Sequence, residues 1–189
     1  MIAEILKNHF DKYYEAPLEA WKHFAGLCEQ VAYEKKEVIK QAEKKERYGY
    51  FLLEGAIGTF VWTNDQYVCL DLLIESDFFG DELSLHSGLP SPLEIIALEK
   101  SSILRISKSN IEELRKTPMG SLLMSIGDQK EIAEKQKKQI KLMTLTAEER
   151  YIELLQSKPE LIQRISQKDI ASYLGISTQS LSRIRRNIK

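Results

Sequence analysis

The side chains with the clearest chemistry sit near the end of the 189-residue chain, in Ser177-Thr178-Gln179-Ser180-Leu181-Ser182-Arg183-Ile184-Arg185-Arg186. On a helix, Leu181 and Ile184 share one face, which leaves Thr178, Gln179, Ser182, Arg183 and Arg186 pointing outward. Short hydroxyls, an amide and guanidinium groups, with no acidic residue after Asp169, are what a helix in a DNA major groove requires. There Arg pairs bidentately with guanine and Gln with adenine. Gln167, Ser177 and Ser180 complete the candidate DNA-binding set, while Arg185, Arg186 and Lys189 lie where phosphates would be met.

Such a helix needs a second one to brace it, and the preceding residues supply it. Ser166 can cap a first helix whose Ile170, Ala171 and Leu174 face inward, the small Ala171 permitting a close crossing. Gly175 offers the left-handed residue that ends that helix, Ile176 anchors the turn, and Ser177 caps the next. Two helices around a tight glycine turn make a helix-turn-helix. A purely structural hairpin shares the frame but does not need a basic, acid-free outer face. Further upstream, Thr146 and Glu149 form a capping box that opens a separate module, with Tyr151, Leu154 and Leu155 inward and Ser157-Lys158-Pro159 as its stop. Leu161–Ile165 reads as a short strand or a loop.

Between Pro118 and Met143 the residues Leu122, Ile126, Gln129, Ala133, Gln136, Ile140 and Met143 alternate at spacings of four and three. That is a coiled-coil seam of about three heptads, its register fixed by the two glutamines, and it predicts a homodimer. A helix packed along a stripe of its own domain is the alternative. Earlier still, β-type runs at Val38–Ile39, Tyr48–Leu53, Ile57–Trp62, Val68–Ile74 and Ile95–Ile106 are punctuated by glycines, with Thr63-Asn64-Asp65-Gln66 as a hairpin. They predict a compact β-barrel or roll. Helical spacing flanks it: Ile5 to Cys28 in two pieces broken at Pro17, and Ser109–Leu114 behind a Ser or Asn cap. With no parallel α/β alternation the fold class is α+β. The expected parts are a sensor domain over 1–116, a dimerisation helix over 117–145 and the helix-turn-helix over 146–189.

Composition narrows the function classes. The formal net charge of -1 hides an asymmetry, residues 1–145 carrying -4 and residues 146–189 carrying +3. From Arg164 onward six basic residues face one acidic residue, Asp169, so the case for nucleic acid rests on that tail. Cys28 and Cys69 stand alone, and His9, His23 and His86 lack ligand spacing, so no metal site is expected. No nucleophile–base pair or phosphate loop points to an enzyme. With neither a signal-type segment nor a run of about 18 apolar residues, the expected location is the cytoplasm, without membrane association.

The string QKDIASYLGISTQSLSRIRR resembles the DNA-binding motif of the Crp/Fnr family, the cyclic-AMP receptor type of bacterial regulator, and especially its Bacteroidetes-type members. Phe78-Phe79-Gly80-Asp81-Glu82-Leu83 is similar to the phosphate-binding cassette of cyclic-nucleotide domains, and Ala97-Leu98-Glu99-Lys100-Ser101 to the strand after it. The resemblance covers essentially the whole chain. It implies a cyclic-nucleotide-binding-like β-roll with flanking helices, a long dimerisation helix and a C-terminal winged helix-turn-helix. The implied partners are a palindromic double-stranded operator, a second copy of the chain, RNA polymerase and a small-molecule effector, whose site would include Phe79, Gly80, Asp81, Glu82, Leu83, Ser84 and Ser91.

Three departures qualify what the resemblance implies. Where the family has a phosphate-pairing Arg, this chain reads Leu89-Pro90-Ser91-Pro92. A cyclic phosphate beside Asp81 and Glu82 with no cation would cost several kcal/mol or more, so cAMP is not the expected cofactor and the effector is unknown; the bland reading of Gly80-Asp81-Glu82 is a turn with an exposed acidic pair. Thr178 and Gln179 stand where the best-known members have Arg and Glu, so a different half-site is expected, though Arg183 matches the second reading arginine. With the sequence stopping at Lys189, any wing is expected around Leu161–Ile165. The competing function is a ligand-binding or protein-interaction module with a vestigial helix-turn-helix.

Overall fold

The computed structural model describes residues 2–11, 15–63 and 66–188. Two short helices, α1 (Ile2–Phe10) and α2 (Leu18–Gly26), come first. They bury Leu6, Trp21 and Phe24 against Phe51, Leu104 and Ile106 of the sheet that follows and against Leu114 and Leu123 beyond it. The helical spacing that runs on to Cys28 in the sequence is coincidental: α2 ends at Gly26, and Cys28 opens a strand.

Among the described residues, eight strands form two antiparallel four-stranded sheets. One has the order β1 (Cys28–Tyr33), β8 (Ser101–Ser107), β3 (Tyr48–Glu54), β6 (Phe78–Phe79). The other has the order β2 (Val38–Lys40), β7 (Leu93–Ala97), β4 (Ile57–Thr63), β5 (Gln66–Leu73). Tyr50, Leu52, Ile57, Phe79, Ile95, Ala97 and Ile103 join the two in one buried cluster, as expected of a roll whose strands alternate inward and outward residues. Ile95–Ile106, read from sequence as one β run, is two strands in different sheets: residues 98–100 turn the corner, and the Leu98 N–H donates to the Ala56 carbonyl at 2.8 Å. At the β3–β4 turn Gly55 has φ +103°, and a Cβ there would lie 2.7 Å from the Lys100 carbonyl oxygen, so only glycine fits. β4 and β5 pair as the hairpin reading requires; its turn residues Asn64 and Asp65 lie outside the described residues.

Helices α3 (Glu82–Ser87), α4 (Lys108–Arg115) and the 27-residue α5 (Pro118–Thr144) follow. The cap of α4 is Ser107, whose hydroxyl accepts from the Asn110 N–H, two residues before the cap expected from the sequence. The last four helices are α6 (Ala147–Ser157), α7 (Pro159–Arg164), α8 (Gln167–Tyr173) and α9 (Thr178–Asn187). The Thr146–Glu149 capping box is formed, and Tyr151 and Leu154 are buried, but Leu155, expected inward, is exposed. The segment Leu161–Ile165, expected as a strand, a loop or a wing, is helical through Arg164: it forms the end of α7, which Pro159 starts and the extended residue Ile165 follows. A helix of six residues is too short to register as a period of 3.6.

The module that begins at Thr146 does not stand apart. Its core residues Tyr151, Leu154, Leu161, Ile165, Ile170, Ala171, Leu174, Leu181 and Ile184 form one cluster with Ala56, Phe60, Cys69 and Leu72 of the β4–β5 region. No described helix is long and apolar enough to cross a membrane.

Candidate nucleic-acid interface and effector cassette

Local chemistry sets the helix-turn-helix. The Ser166 hydroxyl accepts from the Asp169 N–H and the Ser177 hydroxyl from the Ser180 N–H, each at 3.1 Å, which satisfies donors that a helix start leaves free. Gly175 takes φ +69°, and across the turn the Ile176 N–H donates to the Ala171 carbonyl at 3.0 Å. Ile170, Ala171, Leu174, Leu181 and Ile184 are all buried, as their spacing predicts. Arg150 ties this frame to the end of α5, its guanidinium donating to the carbonyls of Leu145 at 2.6 Å and Leu174 at 2.8 Å.

On the other side of α9, Thr178, Gln179, Ser182, Arg183 and Arg186 are exposed, with Ser177 and Gln167 beside them, while Ser180 and Arg185 are half-buried. Ser180 is partly committed to the cap, since it also receives the Ser177 hydroxyl at 3.0 Å. Arg183, Arg185 and Arg186 make no ion pair among the described residues. The arrangement presents a polar, cationic helix face to solvent.

The opposite side of the module is held to the roll by charge. Arg164 donates two bonds to Glu75, at 2.8 and 2.7 Å, and two to Glu99, at 3.0 and 2.6 Å. That fork holds the Glu75 carboxyl down to about 2. Lys158 pairs with Asp77 at 2.7 Å. The Ser172 hydroxyl accepts from the Cys69 N–H at 2.8 Å, so α8 covers the free edge of β5. Burial pushes the Cys69 thiol well above the ordinary thiol range and Cys28 up to about 12.

Along α5, Leu122, Gln129, Ala133, Gln136, Ile140 and Met143 of the expected seam are exposed and Ile126 is half-buried. Ile132, which sequence spacing passed over, is exposed as well.

The cassette differs most from expectation. Asp81 is fully buried rather than part of an exposed acidic pair, and it caps α3 by accepting from the Ser84 N–H at 3.1 Å. Its other oxygen accepts from the Ser91 hydroxyl and pairs with Lys40 at 2.7 Å. Lys40, itself 5% exposed, further donates to Ser91 Oγ at 3.1 Å and to the Leu93 carbonyl at 2.7 Å. The cation that the sequence lacked near Pro90-Ser91-Pro92 therefore comes from β2, but its charge is already matched. No spacing rule anticipates this, because a register shift between Val38 and Lys40 breaks the strand's alternation and turns the lysine inward. Ser84 is fully buried, accepting from the Glu46 N–H at 2.9 Å and donating to Leu89 O. Phe79 is buried and stacks on Tyr50 at 5.0 Å, and Gly80 and Glu82 are half-buried. Burial raises the Glu82 carboxyl, with Glu131 of α5 adding to the rise. Leu83 points away, 66% exposed. The structure thus gathers Phe79, Asp81, Ser84 and Ser91 and adds Lys40 and Glu46, both missed from sequence. Among the described residues no His, Cys, Asp and Glu cluster could hold a metal.

Residues 30–117 match the Cyclic nucleotide-binding domain family. No curated protein is significantly similar in sequence. Among solved structures, FixK2 from Bradyrhizobium japonicum is similar at 21% identity and a TM-score of 0.71, over 85% of this chain and 84% of its own. The c-di-GMP responsive global regulator CLP of Xanthomonas campestris is similar at 17% identity and a TM-score of 0.69, over 91% of each chain. The Thermus thermophilus Catabolite Activator Protein is similar at 18% identity and a TM-score of 0.58, over 95% of this chain and 85% of its own. From the roll to α9 the chain has the fold of the Crp/Fnr regulator structures, and residues 30–117 within it are similar to the cyclic nucleotide-binding domain family.

Proposed function

We propose that the chain is a homodimeric, sequence-specific DNA-binding transcriptional regulator that acts by binding rather than catalysis. The observation that carries this reading is the outer face of α9, where Arg183 and Arg186 are exposed beside Thr178, Gln179 and Ser182 and make no ion pair among the described residues. Two copies joined along α5 would bury Leu122, Ile126, Ala133, Ile140 and Met143 and present two such faces. These would enter successive major grooves about 34 Å apart on a palindromic site. Enrichment of bound duplexes from a random pool tests the reading: a palindrome with that half-site spacing is expected, and a pool that stays random overturns it.

The effector domain does not take cAMP in the usual way. With Lys40 already neutralised by Asp81, an incoming cyclic phosphate would meet no free cation in the cassette and would have to break a buried pair. Calorimetry is expected to detect no binding, and micromolar affinity for cAMP would contradict this part of the reading.

A further inference from the structure

The module that carries α9 is gripped by a turn of the roll that leads straight into the cassette. Residues 74–77 join β5 to β6, and β6 is all that separates Asp77 from Gly80. Ser76, inside this turn, has φ +72°, a left-handed backbone that a residue with a Cβ keeps only when its surroundings hold it there. Here they do: the Ser76 N–H donates to the Leu52 carbonyl at 2.9 Å, and the Leu52 N–H donates to the Asp77 carbonyl at 3.0 Å.

The two acids that flank Ser76 serve the turn and the module with the same oxygens. Asp77 Oδ2 accepts from the Ile74 N–H at 3.1 Å and from Lys158 at 2.7 Å. Glu75 Oε1 accepts from the Gly55 N–H at 2.9 Å and from Arg164 at 2.7 Å. Lys158 caps α7 and Arg164 ends it, so the turn holds that helix at both ends, with Glu99 completing the grip on Arg164. A rearrangement of the turn that moves these oxygens loosens both cations at once. The side chains in these pairs are roughly a quarter to a third exposed, so each pair is weak and screened by salt, as suits a contact that is made and broken. Further along, docking ends on one backbone group of the edge strand β5, the Cys69 N–H that donates to the Ser172 hydroxyl of α8.

We propose that the turn at residues 74–77 is a latch between the cassette and the module that carries α9. Closed through Glu75, Asp77 and Glu99 on Arg164 and Lys158, it holds α8 on β5 and gives α9 one orientation; a shift of β6 opens it. Coupling of this kind is reciprocal, so releasing the module must loosen the turn as well. The consequence for DNA affinity rests on the regulator reading, but the opening of the latch is measured without DNA.

The test is amide hydrogen exchange of the full chain, followed residue by residue by NMR, with Ser76 and Cys69 reporting the two ends of the latch and Ile103, in the central strand β8, reporting unfolding of the roll. In the wild type, Ser76 and Cys69 should both be protected, yet exchange at least about a hundredfold faster than Ile103, through an opening that leaves the roll folded. Lys158→Ala combined with Arg164→Ala should speed both amides about tenfold and in parallel. Asp77→Asn, a milder change made from the side of the turn, should speed Cys69 about threefold. Raising the salt from about 0.1 to about 1 M should act on the wild type as the substitutions do, and should act little on the double variant. The proposal is overturned if Cys69 exchanges only together with Ile103, if Cys69 responds while Ser76 does not, or if neither the substitutions nor salt moves Cys69.

Discussion

Lys40 and Arg183 are both cations set among hydroxyl and amide groups, yet the fold uses them in opposite ways. Lys40 lies inside the cassette with Asp81, Ser91 and the Leu93 carbonyl around it, and nothing of its charge is left for a ligand. Arg183 stands on α9 in solvent without an ion pair among the described residues. A charge removed from water must be matched within the protein, and once matched it serves structure. A charge left in water costs the fold little and stays available to a partner. On the proposed reading, the cassette's polar cluster serves stability and the helix face serves recognition.

The largest expected effect lies on the buried side. Asp81→Asn leaves Lys40 charged and unmatched, and should destabilise the chain by about 3–5 kcal/mol in urea denaturation. Changing both partners to apolar residues should recover much of that loss. If Asp81→Asn is neutral, Lys40 is not buried as a cation and the contrast fails.

Next is the seam that would double the reading face. If the proposed dimer forms along α5, the wild type should sediment as a dimer at micromolar concentration, and Ile126→Asp with Ile140→Asp should yield monomers. A monomeric wild type would show that the exposed stripe of α5 has another use.

On the exposed side the two arginines should differ. Arg183→Ala should cost roughly 1–3 kcal/mol on the selected site and little on scrambled DNA, as the loss of a bidentate base contact does. Arg186→Ala, if it loses a phosphate contact, should weaken both DNAs alike and flatten the salt dependence. Equal loss on both DNAs for Arg183→Ala would make it a backbone contact.

The smallest effect tests the charges that join the two regions. Glu75, held by Arg164 at about 2 against an ordinary 4.5, contributes stability that is complete above about pH 4.5 and is lost as pH falls toward 2. Both partners are about a third exposed, so Arg164→Ala should cost at most about 1 kcal/mol at neutral pH and should remove part of the acid sensitivity. An unchanged acid-denaturation midpoint would place that sensitivity elsewhere.

What could be read from the sequence was what local rules determine. Ser166 and Ser177 cap, Gly175 turns left-handed and Leu181 and Ile184 bury because each responds to residues within one or two helical turns. The strands of the roll declared themselves through β-branched and aromatic runs. The failures are non-local or too short. Lys40 turns inward through a strand irregularity and finds Asp81 some forty positions away. The corner at residues 98–100 interrupts an otherwise continuous β run, and α7 is less than two turns long. The docking of the helix-turn-helix on β5 depends on Ser172, Lys158 and Arg164 meeting a sheet edge and a turn that no spacing rule connects to them.

The central claim is that the open helix face reads sequence, and the ratio of affinities for selected and scrambled duplexes measures it directly. Fluorescence anisotropy of the wild-type chain on both DNAs, across a salt series, should give a ratio of about 10³ or more near physiological salt. Both isotherms should weaken as salt rises. A ratio near one at every salt concentration would mean that α9 touches only the phosphate backbone, and would contradict the account.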